Sequence, residues 1–290
     1  MRIRKAVLPV AGLGTRVLPA SKVIPKEMLP IVDKPTLQYI VEEAVAAGIE
    51  EIIFVTSRSK RSIEDHFDVF PEMEKALERK GKHEELEELR RTQTMATYAY
   101  VRQSEPLGLG HAILCAKDLV GDEPFVVILG DDLVAPETPC LPRMLKVHEQ
   151  YGNSVLLLVP LPPEMVPAYG IATVKDLGSN ILQVTHLVEK PRLEEAPSNL
   201  GVAGHYILTP DIFALLEKTP PGAGGEIQVT DAIQMQAQAG YCYGIKFTGI
   251  RYDTGNPLGL LTTSIAYALK RPDIAPALCE YMRQVLSEEP

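Results

Sequence analysis

The stretch Ala6-Val7-Leu8-Pro9-Val10-Ala11-Gly12-Leu13-Gly14-Thr15-Arg16 sets the reading of the whole chain. Ala6 to Val10 is an apolar run of strand character, and Gly12 and Gly14 follow it directly. Two glycines let a backbone pass close to something bulky. Thr15, Arg16, Ser21, Lys22 and Lys26 then crowd hydrogen-bond donors and positive charge into the segment before Ile31. Donors and cations after a first strand suit a polyphosphate. The loop is not a Walker A loop, because no Gly-x-x-x-x-Gly-Lys-Ser/Thr string occurs. It is not a complete dinucleotide fingerprint either, since Val17 stands where a third glycine would fall.

Outward from this loop, strands and helices alternate. Glu51–Thr56, Thr97–Arg102 and Phe125–Leu129 read as further strands. Thr36–Ala47 has apolar residues on a helical period and stops at Gly48, Ser62–Phe67 reads as a short helix, and Leu109–Leu119 as a longer one. Residues 72–93 are strongly charged with few apolar positions, which predicts a solvated helix pair. In the second half Ser154–Pro160, Ile171–Val174, Ile181–Glu189, Val202–Leu208 and Cys242–Thr248 read as strands. Asp211–Lys218, Val229–Ala239, Pro257–Leu269 and Ala275–Leu286 read as helices. The pattern predicts an α/β fold of Rossmann-like kind: a mixed, mostly parallel sheet flanked by helices. No linker forces a boundary, so one domain over 1–290 is expected. Ligands of such sheets sit beyond the carboxyl ends of the strands. Ala11–Arg16 and Gly130-Asp131-Asp132 both follow strands at that edge and can converge there.

The chain has 290 residues, 46% of them hydrophobic, and a formal charge of −9. That excludes a general nucleic-acid surface. An acidic protein that binds an anion must gather its cations locally, as Arg16, Lys22, Lys26 and Lys34 do. The four cysteines are scattered without CxxC spacing, and no run approaches the roughly 20 apolar residues of a membrane span. No signal-peptide pattern stands at the N-terminus. A soluble, cytoplasmic protein with neither membrane nor nucleic-acid partner is the expectation.

Asp131 and Asp132 end an apolar strand, where carboxylates are costly unless paired or bound to a cation. A second acidic site is Tyr252-Asp253-Thr254-Gly255. Asp-Thr-Gly also occurs in aspartic proteases, but those need two such loops or a small homodimer, and this chain has one in an α/β pattern.

Gly12-x-Gly14-Thr15-Arg16-x-Leu18-Pro19, followed by Pro25-Lys26-Glu27-Met28-Leu29-Pro30, resembles the signature of the sugar-1-phosphate nucleotidylyltransferases. Val32-Asp33-Lys34-Pro35 with Gln38-Tyr39 is similar to the bacterial UTP–glucose-1-phosphate uridylyltransferase branch of that family. The likeness runs from about Lys5 to Pro272. It implies attack of a sugar-1-phosphate oxygen on the α-phosphorus of UTP, with glucose 1-phosphate as the sugar, Mg²⁺ as cofactor and pyrophosphate as leaving group. It also implies a nucleotide-binding half over 1–150, a sugar-binding half over 151–290, and a homodimer or homotetramer.

On this resemblance Arg16 clamps the β- and γ-phosphates, and Lys26 bridges the reacting phosphates. Ala11, Gly12, Gly14, Thr15, Gln103 and Gly108 form the nucleotide site, with the Gln103 amide donating to and accepting from the uracil edge. Asp131 and Asp253 hold the metal. Asp132, Gly170, Glu189, Lys190 and Gly204 contact the sugar phosphate, with the Gly225-Glu226-Ile227-Gln228 segment beside them. Two departures stand out. His205 occupies a Gly-x-Tyr context where the family more often has Arg, and Asn256-Pro257-Leu258-Gly259-Leu260-Leu261 replaces a Lys-containing segment. They raise the expectation of a broader sugar preference. Three other readings remain open: a related enzyme using dTTP or another sugar phosphate, a catalytically silent nucleotide-sugar sensor, and a Rossmann oxidoreductase. The last lacks both the third glycine and an acidic ribose partner, since Thr56-Ser57-Arg58 occupies that place.

Overall fold

A computed structural model describes residues 2–288, so the extreme ends of the domain expected over 1–290 lie outside the described residues. Its centre is a nine-stranded sheet. The order across it is Thr97–Arg102, Glu51–Thr56, Lys5–Pro9, Phe125–Ile128, Leu200–Leu208, Ser154–Pro160, Cys242–Lys246, Ile181–Glu189, Gly170–Asp176. The first four strands are parallel. Leu200–Leu208 runs against both its neighbours, Ile181–Glu189 does the same, and the rest share the direction of the first four. The mostly parallel, mixed sheet expected from the sequence is present.

Alternation along the strands divides the core into two layers. Ala6, Leu8, Ile52, Phe54, Val126 and Ile128 face one way, toward Leu37, Ile40, Val41, Met144 and Val147 of helices Thr36–Ala46 and Leu141–Tyr151. Val7, Ile53, Val55 and Val127 face the other way, toward Ile113, Phe213, Leu216 and Ile233 of helices Leu109–Cys115, Asp211–Leu216 and Val229–Gln238. Both faces are covered, which is why these strands read as continuous apolar runs. Phe54 is fully buried with its ring 5.1 Å from that of Phe67. Burying one such side chain stabilises by about 1.5–3 kcal/mol.

Local departures from the sequence reading are small. The helix expected over Leu109–Leu119 breaks at Ala116 into Leu109–Cys115 and Lys117–Val120. The charged segment forms helices Pro71–Arg79 and His83–Thr94, of which Leu86 and Thr92 alone are buried. Arg90 bridges to Glu74 at 2.9 Å and Glu78 at 2.7 Å and ties the two together at the surface.

Two features position the site. The hairpin of Gly170–Asp176 and Ile181–Glu189 carries a bulge between Val184 and His186, and Gly201 pairs with Ile171, so the far edge of the sheet folds back on Leu200–Leu208. A separate two-stranded ribbon joins Asp132–Val134 to Arg251–Asp253, with Asp132 opposite Asp253. Period-two alternation gives no sign of so short a ribbon, and the sequence reading did not contain it.

Candidate active site

Gly14 has φ 67°, a left-handed conformation that glycine alone adopts freely, and it turns the loop into the short 3-10 helix Thr15–Val17. A side chain there would press on the Cβ atoms of Lys26 and Ser21 at 3.3 Å. Ser21 Oγ donates to the Gly14 carbonyl at 2.7 Å and closes the loop. Gly12 is different: a Cβ there would meet nothing within 4 Å, so its face is open. It lines a cleft of about 350 Å³ with Ala11, Thr15, Gln103 and Gly108.

At the floor of that cleft the Gln103 amide nitrogen donates to the Gly108 carbonyl at 3.0 Å and lies 3.0 Å from His111 Nδ1. The amide is thus committed to the protein, and its carbonyl oxygen is the end left for a ligand. A Gln that both donates to and accepts from one base edge, as expected, is not what this geometry offers. Gly108 also has a different reason to be glycine. Its φ is 92°, and a Cβ would strike Glu226 Cβ at 2.7 Å. Ile227 N donates to the Leu107 carbonyl and Gly110 N to the Ile227 carbonyl, stitching this segment to 226–227.

The catalytic candidates converge on Asp131. Lys26 Nζ lies 2.5 Å from its Oδ2, and Arg16 Nη2 lies 3.5 Å from the same oxygen. Thr254 N and Oγ1 both donate to the Asp131 carbonyl, at 2.9 and 3.1 Å. That bond and the ribbon bring Asp253 beside Asp131. A Cβ on Gly255 would lie no more than 3.0 Å from Asp131 Oδ2, Arg16 Nη2 and Asp253 Oδ1 alike, so only glycine leaves the three groups room to meet. Asn256 caps helix Pro257–Ala268 by accepting from Gly259 N at 2.8 Å and places its amide 3.4 Å from Asp253 Oδ2.

Beneath Lys26 lies a pair that the sequence reading missed. Glu27 and Lys60 are both buried, with Lys60 Nζ 2.7 Å from Glu27 Oε2. Burial pushes the Glu27 carboxyl above its ordinary value, against the pull of Lys60 and Lys26. Glu27 also packs where a Gly130 side chain would go, 2.8 Å from its Cγ. One buried carboxylate therefore touches both the turn that carries Lys26 and the loop that carries Asp131. Lys60 gave no signal, because it sits in a polar loop that reads as surface.

A second cleft, of about 310 Å³, is lined by Arg16, Asp131, Asp253, Gly170, Glu189 and Lys190, among others. Glu189 Oε2 accepts from Thr230 Oγ1 at 2.7 Å, and Lys190 Nζ lies 3.3 Å from Glu189 Oε1. Gly170 leaves space for that pair: a Cβ would stand 3.0 Å from Thr230 Oγ1 and 3.1 Å from Glu189 Oε2. Asp132, expected against the sugar, has both oxygens engaged by the protein. Gly204 N donates to Oδ2 at 2.8 Å and Arg251 Nε to Oδ1 at 2.5 Å. Arg251 in turn donates to Tyr169 Oη at 3.2 Å. Burial opposes the charge on Arg251, but Asp132 outweighs it and raises the pKa. Arg251 is the other residue the sequence reading missed; its place two residues before Asp253 was the available signal.

The two departures lie outside this cleft. His205 is fully buried behind it, with Nε2 3.1 Å from Glu43 Oε1. Burial works against protonation of His205, and Cys140 and Glu43 overcome it, holding the pKa well above 6.5. Residues 256–261 cap and support the Asp253 loop and do not line the sugar side. The expectation of a broadened sugar preference therefore loses its structural basis.

The two clefts share Leu109 and Glu226, and the polar one is lined by Arg16, Asp131 and Asp253, with Lys26 held on Asp131. Residues 5–269 match the nucleotidyl transferase family. The chain belongs to that family. A UTP–glucose-1-phosphate uridylyltransferase of Bacillus subtilis (strain 168) is 49% identical over 288 residues, covering 99% of each chain. The UTP-bound UGPase from Acinetobacter baumannii superposes with a TM-score of 0.89 at 42% identity, covering 99% of this chain and 100% of that one. A UDP-glucose pyrophosphorylase complexed with UDP-glucose gives a TM-score of 0.84 at 44% identity, over 93% and 100% of the two chains. Among the described residues no helix is long and apolar enough to cross a membrane.

Proposed function

We propose that this protein transfers a uridylyl group from UTP to glucose 1-phosphate, giving UDP-glucose and pyrophosphate. The observation that carries the reading is that Arg16, Asp131 and Asp253 line the polar cleft of Glu189 and Lys190, with Lys26 on Asp131, and that this cleft adjoins, through Leu109 and Glu226, the open cleft beside Gly12 and Gln103. Uracil occupies the first cleft, with N3–H donating to the free Gln103 carbonyl oxygen. Gly12 and Ala11 lie against the base, and Gly14 and Thr15 turn the loop toward the phosphates.

The sugar phosphate enters the second cleft, where Lys190 neutralises its charge and Glu189 accepts from hydroxyls. Gly170 and Gly204 keep that wall thin. Asp132 does not touch substrate in this reading; it orients Arg251 and the Gly204 backbone. A phosphate oxygen of the sugar attacks the α-phosphorus, forming one P–O bond while the bond to the β-phosphoryl oxygen breaks. The nucleophile is already an anion, so no general base is required. Lys26 stabilises charge on the reacting phosphates, and Arg16 stabilises the departing pyrophosphate. Arg16 is largely exposed, with 62% of its side chain accessible, and so is free to swing from Asp131 onto a phosphate.

Asp131 and Asp253 suit a divalent cation, since both carboxylates face the space kept by Gly255. Two carboxylates completed by phosphate oxygens and water match Mg²⁺, which keeps few protein ligands. When bound, the metal would supply charge neutralisation to the triphosphate. The Leu258, Leu261, Tyr281 and Leu286 side chains lie exposed on the last two helices and supply an apolar surface for a homodimer or homotetramer. We place the protein in the cytoplasm, where its free thiols stay reduced.

Pyrophosphate release, measured across nucleoside triphosphates and sugar 1-phosphates, tests the reading. UTP with glucose 1-phosphate should turn over fastest, and EDTA should abolish the signal until Mg²⁺ is restored. Equal turnover with dTTP, or no turnover with any pair, would sink it.

A further inference from the structure

Behind the sugar cleft, three elements bring unlike donor groups together. Glu43 lies on helix Thr36–Ala46, Cys140 precedes helix Leu141–Tyr151, and His205 lies on strand Leu200–Leu208. His205 Nε2 is 3.1 Å from Glu43 Oε1, and Cys140 Sγ is 3.8 Å from the same oxygen. One donor atom from each residue lies within 4.8 Å of the other two. Cys140 and His205 are buried, and nothing in the proposed transfer reaction uses any of the three.

We propose that Glu43, Cys140 and His205 form a binding site for a thiophilic divalent cation of the Zn²⁺ type, separate from the Asp131–Asp253 pair. A thiol, an imidazole and a carboxylate are the donor types that Zn²⁺ takes, whereas Mg²⁺ wants oxygen alone. Tetrahedral Zn²⁺ holds its ligand atoms about 3.3–3.8 Å apart, given bonds of about 2.0–2.3 Å. The observed spacing brackets that range, so small side-chain tilts complete the site. His205 Nδ1 is buried with no hydrogen-bond partner. Orphaned buried polar atoms are rare, and a bound ion or water is one of the explanations for them.

A fourth position has somewhere to open. Glu43 stands in the wall of a cavity of about 350 Å³ with Tyr39, Leu133, Val134 and Tyr267. A water entering there completes the tetrahedron. An arginine at position 205 would pair with Glu43 and could not bind a metal. The site also lies one residue from function. Gly204, directly before His205, holds Asp132, and Leu133 and Val134 of the cavity wall follow Asp132. An occupied site would brace the joint between the sheet and the ribbon that carries the sugar cleft.

Chelator-stripped full-length protein titrated with Co²⁺ tests this. One equivalent should produce a near-ultraviolet thiolate-to-cobalt charge-transfer band that Zn²⁺ then displaces. Zn²⁺ at a hundredfold excess over its dissociation constant should raise the melting temperature by about 5 °C. Cys140→Ser should abolish the band, and His205→Arg should cut Co²⁺ affinity at least about tenfold while circular dichroism reports a folded chain. Asp131→Asn should leave the band intact, which separates this site from the Mg²⁺ pair. No charge-transfer band in the wild type overturns the proposal, as does a band that survives Cys140→Ser or disappears in Asp131→Asn.

Discussion

The nucleotide side and the sugar side of the cleft are built on opposite plans. On the nucleotide side, anchoring and chemistry belong to different residues. Glu27 and Lys60 hold the loop from below, fully buried, while Arg16 and the Gly12 face stand open above. On the sugar side the residues that line the cleft are themselves bonded to one another. Asp132 and Arg251 both line the wall and pair within it, and Glu189 is already tied to Thr230. On the proposed function, the first plan would let a loop exchange protein contacts for phosphate contacts when UTP arrives. The second gives a preformed surface whose hydrogen bonds are set before the sugar binds, so little ordering is left to do on binding.

The largest test of this contrast is Lys60→Met. It strands a buried carboxylate, so stability should fall by about 3–5 kcal/mol in chemical denaturation. Adding Glu27→Leu to remove the stranded charge should recover most of that loss. If the single variant is as stable as the parent, Glu27 and Lys60 are not the anchor. Next come the neighbouring carboxylates. Asp131→Asn should cut kcat by about 10²–10³-fold, as for removal of one preorganised charge partner, with a small change in melting temperature. Asp132→Asn should do the reverse, lowering stability and raising KM for glucose 1-phosphate while kcat falls far less. It weakens hydrogen bonds to a charged group, worth about 1.5–3 kcal/mol. Equal kcat losses for the two would erase the distinction drawn here. The smallest effect is expected of Gly12→Ala. Its new methyl group meets no protein atom, so the melting temperature should hold, and KM for UTP should rise by about tenfold or less.

The nucleotide side was the more legible in the sequence for a structural reason. In a parallel sheet each strand hands its chain to a loop at the same edge, so Ala11–Arg16 and Gly130–Asp132 could be read as converging from local pattern alone. The sugar side is assembled from strand ends in a hairpin that bulges and folds back, and no local pattern reports the fold-back. Gln103, Asp132 and His205 show the consequence. Gln103 and Asp132 were expected at a ligand, yet the Gln103 amide nitrogen serves Gly108 and Asp132 serves Gly204 and Arg251; His205, read as a departure from the family's pattern, turns to Glu43.

By itself, the sequence determined the α/β architecture and the cationic loop, because strand periodicity, glycine turns and phosphate-binding donors are local properties of a few consecutive residues; the reaction class was what the family resemblance implied. The tertiary structure alone decided which polar groups are already satisfied. Whether Lys60 is a surface charge or a buried anchor, and whether Asp132 meets substrate or arginine, depends on which distant chain segment lies within about 3 Å, the reach of a hydrogen bond. No spacing within the sequence encodes that distance.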